Sequence, residues 1–220
     1  MVAVDLKEEV DATMFVSADL TDESQVQRLY ASVVERFGRV DVLFNNAGIA
    51  HCEDGSILDI SRATWQHVLE TNLTSVFYCC KYGIPHLRQS GGGSVINMAS
   101  VVAVMGSAQS QIAYTASKGG VLAMSRELGV EFAGQGIRVN ALCPGPVETA
   151  LLSSFFTPNE WDRRLVHIPA GRFARVSEIA EAAVFLASDS SSYVNATEFL
   201  VDGGLSSAYV TSRDVDADRQ

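Results

Sequence analysis

The sequence predicts one doubly wound α/β domain, a parallel sheet with helices on both faces. Three observations carry that reading. Apolar runs of strand length recur at Val2–Val4, Thr13–Ala18, Val40–Phe44, Ser94–Met98, Ile137–Cys143 and Glu198–Val201. Most are separated by helix-periodic stretches long enough to be crossovers, and such alternation implies parallel strands. The 220 residues, 47% hydrophobic and 19% charged, suffice for one sizeable core, with no repeat or low-complexity linker to mark a second domain.

Each element has a local reason. The Val2 run ends at Asp5, and the β-rich run from Thr13 ends at Asp19. Thr21 is expected to cap the next helix, with Asp22 and Glu23 suiting its positive end. Val26, Leu29, Tyr30, Val33, Val34 and Phe37 form one apolar stripe, and Gly38 stops the helix. Val40–Phe44 is apolar except for Asp41, as expected of a parallel strand covered on both faces.

A loop from residue 49 to about 60 leads to a long helix predicted from near Thr64 to about Gln89. Gly91, Gly92 and Gly93 turn into the Ser94 strand, and a loop then leads to a helix carrying Tyr114 and Lys118. Gly134 and Gly136 bracket the turn before Ile137. Residues 144–170 are weakly periodic, contain Phe155, Phe156 and Trp161, and are long for a connection, so a substrate lid is expected there. Ser177 is expected to cap the last helix, and residues 213–220 to form a frayed polar tail.

Composition excludes several classes. A formal charge of -10 argues against nucleic acid or an anionic membrane as partner. No run reaches the roughly 18 apolar residues of a membrane span. The first residues, MVAVDLKEEV, are acidic where a signal peptide would be basic, so a cytoplasmic protein is the expectation. Cys52, Cys79, Cys80 and Cys143 show no metal-ligand spacing with one another or with histidine. Buried, inert thiols and no metal site are expected.

Ligands of doubly wound sheets bind at the carboxyl ends of the strands, where Asp5, Asp19, Asn45, Ser100 and Pro144 fall. Tyr114 and Lys118, four apart, share a helix face. An ammonium one turn from a phenol favours the phenolate and lowers its pKa toward the working range. Ser100 can donate to an oxygen shared with that phenol, stabilising charge where it develops. Read from the residues alone, Asn45, Ala47 and Gly48 are turn chemistry, Asp19 a turn residue, Asp5 an exposed acid and Asn72 a solvent-facing helix residue.

In order and at compatible spacing stand Asn45-Asn46-Ala47-Gly48, the Asn72 in ETNLTSVF, Ser100 with the YTASK block, and Pro144-Gly145-Pro146-Val147-Glu148-Thr149. With these the chain resembles the short-chain dehydrogenase/reductase family in its compact, Rossmann-like form, nearest to 3-oxoacyl-carrier-protein reductases. The gap between Ser100 and Tyr114 is one residue longer than is usual there, and the loop can hold the extra residue.

The resemblance implies a Ser100–Tyr114–Lys118–Asn72 tetrad that moves hydride between a nicotinamide and an alcohol or carbonyl. Asn72 would bind a water linking Lys118 to bulk proton supply. Asn45, Ala47 and Gly48 would lie beside the cofactor's ribose and adenine side, with Asp19 against the adenine amino group. Pro144, Gly145, Val147 and Thr149 would border the nicotinamide, and Lys118 would reach its ribose. Asp5 would accept from both adenine-ribose hydroxyls, favouring NAD over NADP. A homo-oligomer, tetramer or dimer, is implied through the Asn72 and Tyr114 helices.

The family's opening strand, glycine-rich turn T-G-x-x-x-G-x-G and helix have no counterpart in the sequence. Gly91–Gly93 and Gly134–Gly136 precede strands, whereas a phosphate cradle needs glycines that open a helix. The sheet is therefore expected to miss its first strand and helix, leaving the Val2 and Val40 strands with unpaired edges. Two readings follow: an oxidoreductase of this family, or a weakly active or inactive shortened member acting as a binding or oligomer-forming subunit.

Overall fold

The computed structural model describes residues 1–6, 12–149 and 158–209. Among the described residues six strands form two parallel sheets. β1 (Val2–Asp5) pairs with β2 (Met14–Ser17), while β3 (Val42–Asn45), β4 (Gly93–Met98), β5 (Ile137–Pro144) and β6 (Glu198–Val201) lie side by side in that order. No strand pairing joins β1 to β3 among the described residues. This is the split expected of a doubly wound sheet lacking its first strand.

The helices are α1 (Glu23–Phe37), α2 (Arg62–Leu69), α3 (Ser75–Gln89), α4 (Ile112–Phe132), α5 (Pro158–Leu165) and α6 (Val176–Ala187). The α1 cap is Asp22, not Thr21: its carboxylate accepts from the N–H groups of Ser24 and Gln25, while Thr21 bonds back to Asp19. Gly38 ends α1 in the left-handed conformation, as expected. Ser177 likewise does not cap α6. Arg175 holds the cap position, and the Glu178 carboxylate reaches back to its N–H at 2.8 Å.

The long helix expected from Thr64 to Gln89 is continuous in path but changes pitch. Between α2 and α3 lies a π-helical turn, Glu70–Thr74, with Asn72 buried in it. Single π turns inside α-helices often occur at functional sites.

Parallel register assigns the faces. Val95, Val139, Ala141 and Cys143 enter one core with Val26 and Tyr30 of α1, Val76, Cys79 and Ile84 of α3, and Val121 of α4. Ile96 and Leu142 point the other way, into a second core with Ile179, Ala183 and Leu186 of α6. Leu43 registers with Val95 and is 5% exposed, whereas Phe44 registers with Ile96 and is 46% exposed. Val42, on Phe44's side, is 39% exposed. The expectation that this strand is covered on both faces is therefore corrected: α6 covers β4 and β5, but its cover does not extend over β3.

Cys79, Cys80 and Cys143 are buried, as expected, but Cys52 is exposed. Burial pushes the Cys79 and Cys80 thiols up to about 12 and Cys143 to about 11. Among the described residues no acid, histidine and cysteine group could hold a metal, and no helix is long and apolar enough to cross a membrane. The tail 213–220, with Phe155 and Phe156 of the expected lid, lies outside the described residues. The described part of that stretch includes α5, whose Trp161 ring packs 4.3 Å from that of Phe173.

Candidate active site

At the carboxyl ends of β4 and β5 the structure gathers Ser100, Tyr114, Lys118 and, behind them, Asn72. Ser100 stands two residues beyond the end of β4 and opens a 3₁₀ turn, its hydroxyl accepting from Val102 N–H at 3.4 Å. Loop 104–111 takes up the long Ser100–Tyr114 spacing and returns the chain so that the Tyr114 phenol hydrogen-bonds the Ser100 hydroxyl. Lys118, one turn further along α4, is 3% exposed. Its Nζ donates to the Met98 carbonyl at 2.8 Å and lies 5.6 Å from the centre of the Tyr114 ring.

The electrostatics depart from the sequence expectation. Burial is the largest influence on both groups. It holds the Tyr114 phenol above its ordinary value, with the Ser100 hydrogen bond pulling the other way. It brings the Lys118 ammonium down to about 8. Desolvation penalises the charged form of each, so a lysine at one turn's distance does not produce a ready phenolate here. At neutral pH the phenol therefore keeps its proton, and the lysine, still mostly charged, begins to lose its own about one pH unit higher.

Asn72 is not solvent-facing. It is fully buried, its Oδ1 accepting from Ile49 N–H at 2.8 Å and its Nδ2 donating to Ile49 C=O at 2.9 Å and Ser117 Oγ at 3.2 Å. Both amide protons are engaged with protein atoms, so the side chain grips the strand-end turn. A Cβ added at Gly48 would stand 3.2 Å from Asn72 Oδ1 and 3.4 Å from Lys118 Nζ. The turn at Ala47 and Gly48 thus packs directly on the lysine.

Asn45 turns inward, donating to Asn97 Oδ1 at 2.8 Å, and Asn97 donates to Ser125 Oγ at 2.9 Å. Its side chain ties β3 to β4 and α4. Asp19 forms a local turn, accepting from Thr21 N–H at 2.9 Å and Thr21 Oγ1 at 2.7 Å. Asp5 is exposed at the tip of β1 and accepts from Leu6 N–H at 2.6 Å. These two acids sit on the two-stranded sheet and do not join the Tyr114 cluster.

Beyond β5, Pro144 ends the strand and Gly145 N–H donates to Val201 C=O at 3.0 Å. A Cβ on Gly145 would come within 2.8 Å of the Asp202 backbone, so only glycine lets this turn lie against β6. Val147 bridges to Ala174, and Thr149 stands at the edge of the described segment.

Sequence reasoning missed Asn97, Ser117 and Asp54. Asn97 had a legible signal, a polar residue within an apolar strand, whereas Ser117 lies inside the YTASK block and its hydroxyl donates to Tyr114 C=O at 2.7 Å. Asp54 accepts from the N–H groups of Ala113 and Tyr114, 59 and 60 residues away, a pairing no local spacing announces.

A doubly wound parallel sheet with Ser, Tyr and Lys meeting at its carboxyl edge defines a class of α/β oxidoreductases. Residues 2–206 match the family described as enoyl-(acyl carrier protein) reductase. The chain is 38% identical over 187 residues to 3-oxoacyl-[acyl-carrier-protein] reductase FabG of Thermotoga maritima, covering 85% of this chain and 74% of that protein. It is 37% identical over 195 residues to a Xanthobacter autotrophicus protein named inactive 2-(S)-hydroxypropyl-CoM dehydrogenase 2, covering 86% and 84%. The ligand-free structure of Thermoplasma acidophilum aldohexose dehydrogenase superposes with a TM-score of 0.87 at 28% identity, over 96% of this chain and 86% of that one. The chain belongs to the short-chain dehydrogenase/reductase family and is similar to its 3-oxoacyl-carrier-protein reductases.

Proposed function

We propose that the chain moves hydride between a nicotinamide cofactor and a small alcohol or carbonyl substrate, with Tyr114 as the acid/base group. The observation that carries this reading is that the Tyr114 phenol bonds the Ser100 hydroxyl while Lys118 Nζ lies 5.6 Å from the centre of its ring. Ser100 and Tyr114 would hold the substrate oxygen between two hydroxyls, and Tyr114 would give or take its proton. Lys118, close to half-charged near its pKa of about 8, would favour the phenolate as that proton leaves. Asn72 would act by fixing the Ile49 turn against Lys118.

The residues present fit the nicotinamide half of a cofactor. The Lys118 ammonium can donate to ribose hydroxyls and the backbone of the turn after β5 can bond a carboxamide, so Lys118, Pro144, Gly145, Val147 and Thr149 would border the nicotinamide and its ribose, with Gly48 packed close behind Lys118. When bound, that ring supplies or accepts the hydride. The diphosphate half has no glycine turn to receive it among the described residues. Asp5, at the tip of β1, would favour NAD over NADP, with Asp19 and Ala47 on the adenine and ribose side. Asp5→Ser is expected to narrow or reverse the NAD preference, read as the ratio of kcat/KM for the two cofactors.

Tyr114→Phe is the central test. It removes the hydroxyl, keeps the ring packing and is expected to lower turnover roughly 100- to 10,000-fold, about 3–5 kcal/mol. Turnover within about threefold of wild type, with the fold intact by circular dichroism, would remove Tyr114 from this role.

A second reading is a weakly active or inactive member serving as a binding or oligomer-forming subunit. Among the described residues β1 and β3 each have one edge without a strand partner, which favours it, and one relative bears the word inactive in its name. Calorimetric titration with NADH separates the readings, since micromolar binding supports the first and none at millimolar cofactor supports the second. Self-association through α3 and α4 has support in Phe77, 46% exposed, and Val130, 73% exposed. Sedimentation velocity would read it as a dimer or tetramer. The 144–170 stretch, with α5 packed on Phe173, is proposed as the substrate lid of a single domain.

A further inference from the structure

We propose that Asp54 is the positioning residue of Tyr114, capping from a distant loop the first turn of the helix that carries this phenol. The inference rests on Tyr114 as the acid/base group and concerns how it is held.

Helix α4 starts without a local cap. The residue at its cap position, Gln111, makes no side-chain hydrogen bond to the first turn. Its first three N–H groups are nevertheless satisfied. Ile112 donates to Gly55 C=O at 3.4 Å, Ala113 to Asp54 Oδ1 at 3.0 Å and Tyr114 to Asp54 Oδ2 at 2.8 Å. Each carboxylate oxygen thus takes one of the donors that an ordinary cap residue would take. Ser110 Oγ adds a bond to Gly55 C=O at 2.8 Å.

The loop that delivers the carboxylate is itself held. Asp54 N–H donates to His51 C=O at 3.0 Å. Glu53 accepts from Thr64 Oγ1 at 3.1 Å, which ties the loop to the start of α2. At the loop's beginning Ile49 is gripped by Asn72, whose Nδ2 also donates to Ser117, which in turn donates to Tyr114 C=O. Both backbone polar groups of Tyr114 are therefore engaged from outside the helix ladder, its N–H by Asp54 and its C=O by the Ser117 hydroxyl.

The charge matters as well as the geometry. The positive end of α4 would stabilise a phenolate on its first turn, and a carboxylate seated there offsets that field. The groups facing the phenol are Lys118 on its own helix and Ser100 at the end of β4, with Cys143 of β5 next to Lys118. On the loop side His51 and Glu53 flank Asp54. Asp54 accordingly locates the phenol and helps to keep its proton.

The test uses the whole 220-residue chain as wild type, Asp54→Ala and Asp54→Asn, with Tyr114→Phe as spectral reference. Asp54→Ala is expected to speed amide exchange at Ala113 and Tyr114 by roughly 5- to 30-fold, the usual range for loss of a cap. Asp54→Asn retains one acceptor and no charge. It should recover part of that protection, while the Tyr114 phenol midpoint, read by ultraviolet difference titration, falls by about half a unit. In carbonyl reduction, Asp54→Ala should lower kcat about tenfold or more with KM for NADH within about twofold, and Asp54→Asn should restore part of kcat.

Unchanged exchange at both amides and an unchanged phenol midpoint in Asp54→Asn would overturn the proposal. So would parallel loss of kcat, cofactor affinity and thermal stability, which marks a merely structural loop. If Asp54→Ala fails to fold, Asp54→Asn decides alone. If wild type reduces no carbonyl, exchange and phenol titration still decide the role of Asp54, and only the hydride-transfer reading fails.

Discussion

The two sheets are made of similar residues, yet they are held very differently. In the four-stranded sheet Val95, Val139 and Leu142 have no exposure at all, because α4 and α6 close both faces of β4 and β5. In the two-stranded sheet Val2, Ala3 and Val4 are only half-buried, and among the described residues β1 pairs with β2 alone. The same β-branched composition therefore yields a rigid centre in one place and a thin ribbon in the other. Strand propensity measures how well a residue fits a covered pleat, so the cover decides the outcome. The groups proposed for chemistry lie on the covered sheet and those proposed for adenine recognition, Asp5 and Asp19, on the thin one.

That contrast can be broken by truncating one residue in each sheet. Leu142→Ala should destabilise the protein by about 2–5 kcal/mol, through lost burial and the cavity left behind. Val4→Ala should cost about 1 kcal/mol or less, since its surroundings already admit water. Urea denaturation of both variants measures the difference. Equal costs would show that β1 and β2 are packed as tightly as the centre.

A smaller effect sharpens the contrast at the covered sheet's edge. Burial lowers Lys118 from its ordinary 10.5 to about 8, so between those values the unfolded chain binds more protons than the folded one. Stability must then rise with pH across that window, and the burden of the buried ammonium is full below pH 8. Lys118→Met should be more stable than wild type at neutral pH by up to about 3 kcal/mol, and the gap should close above about pH 10.5. Thermal melts from pH 7 to 10.5 would read this. A constant difference across the range would place an ordinary, solvated ammonium at this position.

The smallest expected change lies at the open edge. Phe44, half-exposed on the uncovered face of β3, contributes little burial, so Phe44→Lys should alter stability by no more than about 0.5 kcal/mol. It should raise solubility, because a charge on an unpaired edge discourages strand addition. Precipitation thresholds of the two proteins would test this, and a loss of several kcal/mol would mean that Phe44 is covered in solution.

How much was legible varies from residue to residue. The strand–helix alternation, the stripe of α1, the Gly38 stop and the split between β1 and β3 among the described residues could all be read from periodicity and motif order. The caps were misplaced by one residue at Thr21 and two at Ser177, because neighbouring polar residues compete for the same N–H groups. The motif marks Asn72, but not its side-chain partner. Its amide binds Ile49, and nothing within its own helix indicates that.

What the sequence determined by itself was local in origin. Apolar spacing set the elements, glycine permitted the turns, and the four-residue interval put Tyr114 and Lys118 on one helix face. Tertiary structure decided which face of β3 stays uncovered, that Lys118 lies buried against Met98, and that a carboxylate sixty residues upstream caps the helix of Tyr114. The division has a physical cause. Periodicity records which side of an element meets the core, whereas burial, pKa and long-range hydrogen bonds depend on which other element arrives there.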